Sequence, residues 1–277
     1  MALPVVTRVP GRRAGLSAGT CRRSARRLLG RVGLDLVKAD DVPFGMRWQD
    51  DVAALGTVKL AVDVGANEGQ TADVLVQAFP AARIFSYEPV PTTFAVLQRR
   101  YAGSRRVTCV RAGVGATAGS ARIVSGAVSS QNTLLTHAKP DQPTVLVPMT
   151  TIALQAEAHG WAHIDLLKID TEGYEIPVLE GALPLLEHGR IRFILAECDF
   201  LTRPTDPHTY FPDLLAMLSA LGYRVVAFYT AGVDGQGWIW GNVLFMKGSV
   251  RREVLLTPSA IRRGARPRTA RIRWHAP

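Results

Sequence analysis

The chain has 277 residues, 47% of them apolar, and a formal net charge of +10; that length is enough for one α/β domain with a sizeable core and no covalent staples. Its three cysteines, Cys21, Cys109 and Cys198, are too far apart for a metal knuckle or a disulfide framework, which points to a reducing, cytoplasmic compartment. No apolar run reaches the roughly eighteen residues of a membrane span, and the N-terminus lacks the apolar stretch of a secretory signal.

The charge is unevenly placed. Residues 1–50 hold ten Arg/Lys against four Asp/Glu, and 251–277 hold eight Arg against one Glu, whereas 51–250 hold 15 basic and 18 acidic residues. The expected organisation is a domain over 51–250 between two basic arms, 1–50 and 251–277, which are solvated and partly disordered or helical. Arginines such as Arg22, Arg23, Arg26 and Arg27 could also hold the protein peripherally against an anionic membrane surface. RNA is the less favoured partner, because the mildly acidic centre lacks the positive cleft that phosphates require.

A short approach helix or loop over 51–57 leads to a first strand at 59–64. The segment Asp63-Val-Gly65-Ala-Asn67-Glu-Gly69 then turns into a helix that Pro80 closes, and a second strand at 83–88 ends in Glu88. In open α/β sheets ligands bind at the carboxyl ends of strands, where glycine lets backbone approach closely. Glu88 is placed to accept hydrogen bonds from both hydroxyls of a ribose, so the ligand is a nucleoside. The G-x-G-x-x-G fingerprint of a dinucleotide site is absent. Asp63, two residues before the first glycine, would repel a pyrophosphate and suits a cationic, amino-acid-bearing ligand, which describes S-adenosylmethionine (SAM). A nicotinamide or flavin nucleotide, or a tight turn without ligand, are the alternatives.

Pro91 opens a helix running to about 101, followed by a strand at 107–112, a turn at 116–120 and a short strand at 121–124. The polar stretch 125–144, with Ser129, Ser130, Gln131 and Asn132, reads as an active-site loop. A short strand at 145–149 and a helix over 151–159 precede a buried strand at 164–169, which ends in Asp170, Glu172 and Glu175. A helix over 174–188 tolerates Pro177 near its first turn. A strand at 191–196 ends in Glu197 and Asp199, and a helix at 211–221 leads to strands at 223–229 and 238–246, an antiparallel hairpin at the sheet edge. The expected fold is a Rossmann-like, doubly wound α/β sheet of seven strands, mostly parallel with an antiparallel last strand. Trp238 and Trp240 alternate along that strand, which leaves at most one of them for a substrate ring.

The two acid clusters fall at strand ends beside the glycine turn. There carboxylates serve as general bases, hydroxyl acceptors or hard-cation ligands, although Asp170 or Thr171 could merely cap a helix. His137 and His208, in loops, are alternative bases. Ser130 and Asn132 could bind the hydroxyls of an acceptor.

Three stretches together resemble the FkbM family of SAM-dependent methyltransferases: Val62 to Gln70, Tyr87-Glu88-Pro89, and the run Leu167-Lys168-Ile169-Asp170-Thr-Glu172-Gly173-Tyr-Glu175 continuing to Gly181-Ala182. The resemblance covers about residues 58–248 and implies a class I methyltransferase fold. It implies methyl transfer to a hydroxyl of a sugar, glycolipid, polysaccharide or polyketide-type natural product. Asp63, Gly65, Asn67 and Gly69 would line the methionine end of SAM and Glu88 its ribose. Asp170, Glu172 and Glu175 sit on the family's signature run and would face the substrate. With the strand-end reading added, Asp170, Glu172 and Glu197 are the catalytic candidates, and Glu175 and His208 are among the candidate substrate contacts. Mg²⁺ held by Asp170 and Glu197 is implied by analogy with related sugar O-methyltransferases. Ala153 stands where the family commonly has Asp. An RNA or protein methyltransferase using the arms, and a SAM-binding protein without turnover, are the competing functions.

Overall fold

The computed structural model describes residues 45–124, 144–201, 208–234 and 237–248. Most of the N-terminal arm, the C-terminal arm and nearly all of the expected active-site loop, with Ser130, Asn132 and His137, lie outside the described residues.

In chain order, α1 (Trp48–Leu55) leads into β1 (Leu60–Val64), α2 (Gln70–Ala78), β2 (Arg83–Tyr87), α3 (Pro91–Arg100) and β3 (Val107–Val110). An excursion through β4 (Gly113–Val114), β5 (Gly119–Val124) and β6 (Thr144–Thr150) follows, and α4 (Ile152–Ala158) returns the chain to β7 (Ile164–Ile169). Then come α5 (Glu175–Glu180), α6 (Leu183–Glu187), β8 (Ile191–Asp199), α7 (Phe211–Ala220), β9 (Tyr223–Asp234) and β10 (Gly237–Lys247).

The central sheet has the order β3-β2-β1-β7-β8-β10-β9. Its strands are parallel except β10, which runs antiparallel to both β8 and β9. The hairpin therefore inserts its second strand between β8 and β9 instead of adding it at the rim. This matters for the site, because the start of β10 reaches the same edge as the end of β8, with Asn242 paired to Glu197 and Trp240 to Asp199. A second sheet, β4-β6-β5, packs beside that edge.

The expected strand at 107–112 ends at Val110, and Gly113 and Val114 leave to pair with Met149 and Thr150 of β6. The expected helix over 174–188 is divided in two. A Cβ on Gly181 would lie 2.0 Å from the Gly115 carbonyl oxygen, and the Gly181 carbonyl accepts from Ala153 N at 3.0 Å. Pro184 sits in the first turn of α6; inside a continuous helix its ring would clash with the carbonyl four residues earlier. Ala153 is thus a packing position on α4, capped by Thr151 Oγ1, which accepts from Leu154 N at 3.0 Å.

Strand residues divide between two helical layers. Val62, Ile194 and Val243 pack with Ile152, Val178, Leu186 and Leu214, from α4 to α7. Ala61, Leu166, Phe193 and Leu244 pack with Val52, Leu75 and Phe79, from α1 and the α2 region. Burial on both faces explains why β7 and β8 read as nearly continuous apolar runs. β7 also carries Asp165, half-buried near its start, and Lys168, 4% exposed; the Lys168 charge is answered at the site.

Candidate active site

β1, β2 and β7 are stitched together at their carboxyl ends. Gly65 N and Ala66 N donate to Tyr87 O at 3.0 and 2.9 Å, and Asp170 N donates to Val64 O at 3.0 Å. Gly65 has φ 78°, and a Cβ there would lie 1.8 Å from the Asp170 carbonyl oxygen, so this approach requires glycine. Strands β2 and β3 lie on one side of β1 and β7 and β8 on the other, so the crevice opens where the strand order reverses. Asn67 (φ 49°) and Gly69 (φ 98°) complete the turn, and Gly69 is the N-cap of α2.

The crevice is a cavity of about 420 Å³ whose wall includes Gly65, Asn67, Gln70, Thr71, Glu88, Asp170, Glu172, Glu197, Trp240 and Asn242. Glu88 is held by backbone: its Oε2 accepts from Asn67 N at 3.1 Å and its Oε1 from Val90 N at 2.9 Å. Each oxygen keeps a further lone pair. Burial pushes this carboxyl up to about 7, against the pull of the two N–H groups.

The second acid group centres on Asp170. Lys168 Nζ donates to Asp170 Oδ2 at 2.8 Å and to Ile169 O at 3.3 Å. Burial alone would raise the Asp170 carboxyl, but the Lys168 charge and hydrogen bonds from Glu197 and Lys168 outweigh it and hold it below its usual value. Glu197 is pushed the other way, to about 9, by burial and then by the Asp170 charge and the bond between them. At neutral pH Glu197 is therefore the protonated donor of that pair. Glu172 is raised to about 7 by burial, then by Asp170. It adopts φ 54°, the left-handed region that side chains other than glycine enter rarely. Such strain persists where surrounding structure over-determines it.

Glu175, expected among the substrate contacts, lies beneath this turn and supplies that determination. It is 1% exposed, its Oε1 accepts from Thr171 N, Thr171 Oγ1 and Gly173 N, and its Oε2 accepts from Thr209 Oγ1. Asp63, expected at the methionine end of SAM, is not among the wall residues. It is 1% exposed behind the cavity wall; its Oδ2 accepts from Ser86 Oγ at 3.3 Å, its Oδ1 is buried without a partner, and burial pushes it up to about 7. Gly69 also lies outside the wall; a Cβ there would lie 2.7 Å from the Tyr101 ring. His208 lies outside the wall too, its Nδ1 4.0 Å from Glu172 Oε2.

Gly65, Asn67, Glu88, Asp170, Glu172 and Glu197 are thus brought together as expected. Asn242 was not anticipated, although a lone carboxamide in the otherwise apolar stretch Val243-Leu-Phe is a readable signal. Among the described residues Cys109 and Cys198 are free thiols, and no helix is long and apolar enough to cross a membrane.

A seven-stranded sheet in this order, with a glycine- and carboxyl-lined crevice at the ends of β1 and β7, is the Rossmann-like fold of class I methyltransferases. Residues 63–225 match the model of the methyltransferase FkbM domain. The chain belongs to the FkbM methyltransferase family and is a SAM-dependent methyltransferase. It is 27% identical over 218 residues to methyltransferase sdnD of Sordaria araneosa, covering 63% of this chain and 77% of that protein. Among solved structures it is similar to the METTL16 MTase domain, with TM-score 0.45 and 11% identity over 73% of this chain and 66% of that one. It is also similar to magnesium protoporphyrin IX methyltransferase of Synechocystis PCC 6803 with bound SAM, with TM-score 0.43 and 9% identity over 85% and 86% of the two chains.

The residues fit that cofactor. Asn67 Oδ1 is buried without a partner, Gly65 leaves backbone exposed, and the wall carries four carboxyl groups and no Lys or Arg among its described members, a surrounding suited to a sulfonium and an ammonium. A pH dependence follows from Glu88. Its raised value means that the apo fold favours the neutral form, so its contribution to folding is greatest below the ordinary carboxyl range and is lost as pH rises through about 7. Ribose hydroxyls are best accepted by the carboxylate. SAM affinity is therefore expected to weaken about tenfold between pH 8 and pH 6 through Glu88, with proton release on binding; calorimetry in two buffers of different ionisation enthalpy measures both, and a pH-independent Kd without proton release contradicts it.

Proposed function

We propose that the protein is an O-methyltransferase acting on a hydroxyl of a neutral acceptor, in the class of sugars, glycolipids, polysaccharides or polyketide-type natural products. The observation that carries this reading is the placement of Glu172 on the cavity wall beside Asp170 and Glu197, where burial and then the Asp170 charge push its carboxyl up to about 7. A base titrating near the working pH combines a useful ionised fraction with driving force for proton removal. Asp170 is a weaker base because Lys168 and Glu197 already engage it.

SAM supplies a methyl group activated by a positive sulfur. Gly65, Asn67 and the first residues of α2 would hold its amino-acid end, with Glu88 on the ribose. Glu172 takes the hydroxyl proton as the oxygen–carbon bond forms and the carbon–sulfur bond breaks. Glu197, pushed up to about 9, is bonded to Asp170, and His208 lies beside Glu172 with its Nδ1 4.0 Å from Oε2. Glu172→Gln is expected to lower kcat by about 10²- to 10⁴-fold and leave the Kd for SAM within about twofold; full turnover in the variant would remove Glu172 from the chemistry.

Asp170, Glu172 and Glu197 also place one oxygen each within 4.8 Å of one another, a hard donor set that fits a cation such as Mg²⁺. When bound, such an ion would lower the pKa of an acceptor hydroxyl. Turnover that EDTA abolishes and Mg²⁺ restores would assign the trio to the ion; turnover indifferent to both leaves proton removal to Glu172 alone. The carboxyl-lined wall speaks against a nucleic-acid acceptor, whose phosphates it would repel. The basic arms would then serve to bring the enzyme to an anionic surface.

A further inference from the structure

We infer that Trp240 and Asn242, at the start of β10, form the ledge that binds and orients the acceptor, and that they select a neutral ring bearing hydroxyl groups. The inference rests on the methyltransferase reading above and adds to it the residues that choose the second substrate.

Three observations converge. First, the β9–β10 pairing shifts register between Trp238 and Trp240 and again between Trp240 and Gly241, with one further shift between Leu244 and Phe245, away from the wall residues. Bulges beside active sites re-aim a side chain that a regular strand would direct elsewhere. Here the irregular pair brackets a residue of the cavity wall.

Second, Trp240 is 39% exposed, unusual for the largest apolar side chain, yet it is held in place. Its indole lies against Gly232 of β9, where a Cβ would come within 2.3 Å of Nε1. Backbone supports one side of the ring and leaves surface for a ligand on the cavity side. An aromatic face presented in this way takes the C–H face of a ring and gives no charge-based selection.

Third, Asn242 Oδ1 is buried and has no hydrogen-bond partner. A buried acceptor left unpaired costs about 1–3 kcal/mol, and at a cavity wall the natural remedy is a ligand donor. Asn242 is the cross-strand neighbour of Glu197, so a ring hydroxyl donating to its carboxamide would sit beside the acid group that contains Glu172. A ring with a second hydroxyl would then present that group to the proton acceptor. Among the described residues the wall carries four carboxyl groups and no Lys or Arg, which disfavours an anionic ring.

The test uses the full chain and radiolabelled SAM, with methyl glycosides and cis-1,2-cyclohexanediol as neutral hydroxylated rings and salicylate as an anionic one. Wild type is expected to methylate at least one neutral ring and not salicylate. Asn242→Ala and Trp240→Ala should raise the KM for that ring at least tenfold while the Kd for SAM stays within twofold, and Trp240→Phe should recover most of the loss. KM values unchanged in both alanine variants, or SAM binding without methylation of any neutral ring, would overturn the ledge and leave the methyltransferase reading standing. Failure of the wild type to bind SAM would overturn that underlying reading and the ledge with it.

Discussion

Glu88→Ala is expected to weaken SAM binding at least about a hundredfold while leaving the sheet assembled. Glu88 is not a core packing residue; it is a carboxyl whose two oxygens are each tied to one backbone N–H, from Asn67 and from Val90. Truncation removes the only carboxylate at the end of β2. It also strips those two N–H groups of their partner where a bound nucleoside would exclude water. Hydrogen bonds to a charged group contribute about 1.5–3 kcal/mol each, and a loss of about 3 kcal/mol corresponds to more than a hundredfold in Kd. Asn67 in turn loses the anchor that helps to hold it at φ 49°. The check is calorimetric titration of the variant together with its thermal melt. A Kd within about threefold of wild type, in a variant that melts normally, would show that the ribose is held elsewhere.

The largest effect on stability is expected at Gly65. Alanine there meets two independent penalties. The left-handed conformation costs a residue with a side chain about 1–2 kcal/mol, and the Cβ would lie 1.8 Å from the Asp170 carbonyl oxygen and 2.8 Å from its carbon. Backbone cannot swing aside as a flexible side chain does. Relief requires β1 and β7 to part at the hydrogen bond between Asp170 N and Val64 O, the seam on which both halves of the site are mounted. Gly65→Ala is therefore expected to cost about 3–5 kcal/mol, in the range of the severe steric and strain effects, and to abolish SAM binding. Gly103→Ala, where a Cβ meets nothing within 4 Å, is the comparison and should melt within a few degrees of wild type. Equal melting temperatures for both variants would contradict the close approach.

How much of this could be read in advance depended on whether the signal was local. The turn at 63–69, the acid at Glu88 and the run from Lys168 to Glu175 announce themselves because each combines a strand end with residues that backbone geometry or chemistry demands. What those acids do was not local. Asp63 and Glu175 look like ligands in one dimension, but one points behind the wall and the other ties down its own turn, and only packing distinguishes a buried brace from an exposed contact. Lys168 reads as one of two charged residues, with Asp165, in an otherwise apolar strand; its role in separating the protonation states of Asp170 and Glu197 depends on a neighbour from β8. The break at Gly181 was hidden because the close approach to Gly115 comes from the other sheet. Asn242 reaches the site only because β10 runs antiparallel between β8 and β9, a topological fact that the hairpin signal alone leaves open.

The most direct measurement is calorimetric titration of the 277-residue chain with SAM, with NAD titrated in parallel. Saturable binding of SAM at a single site, with a micromolar or tighter Kd and no heat from NAD, is the predicted result. Binding of NAD in preference to SAM, or no binding of SAM, would contradict the assignment of the crevice between β1 and β7 as a methyl-donor site.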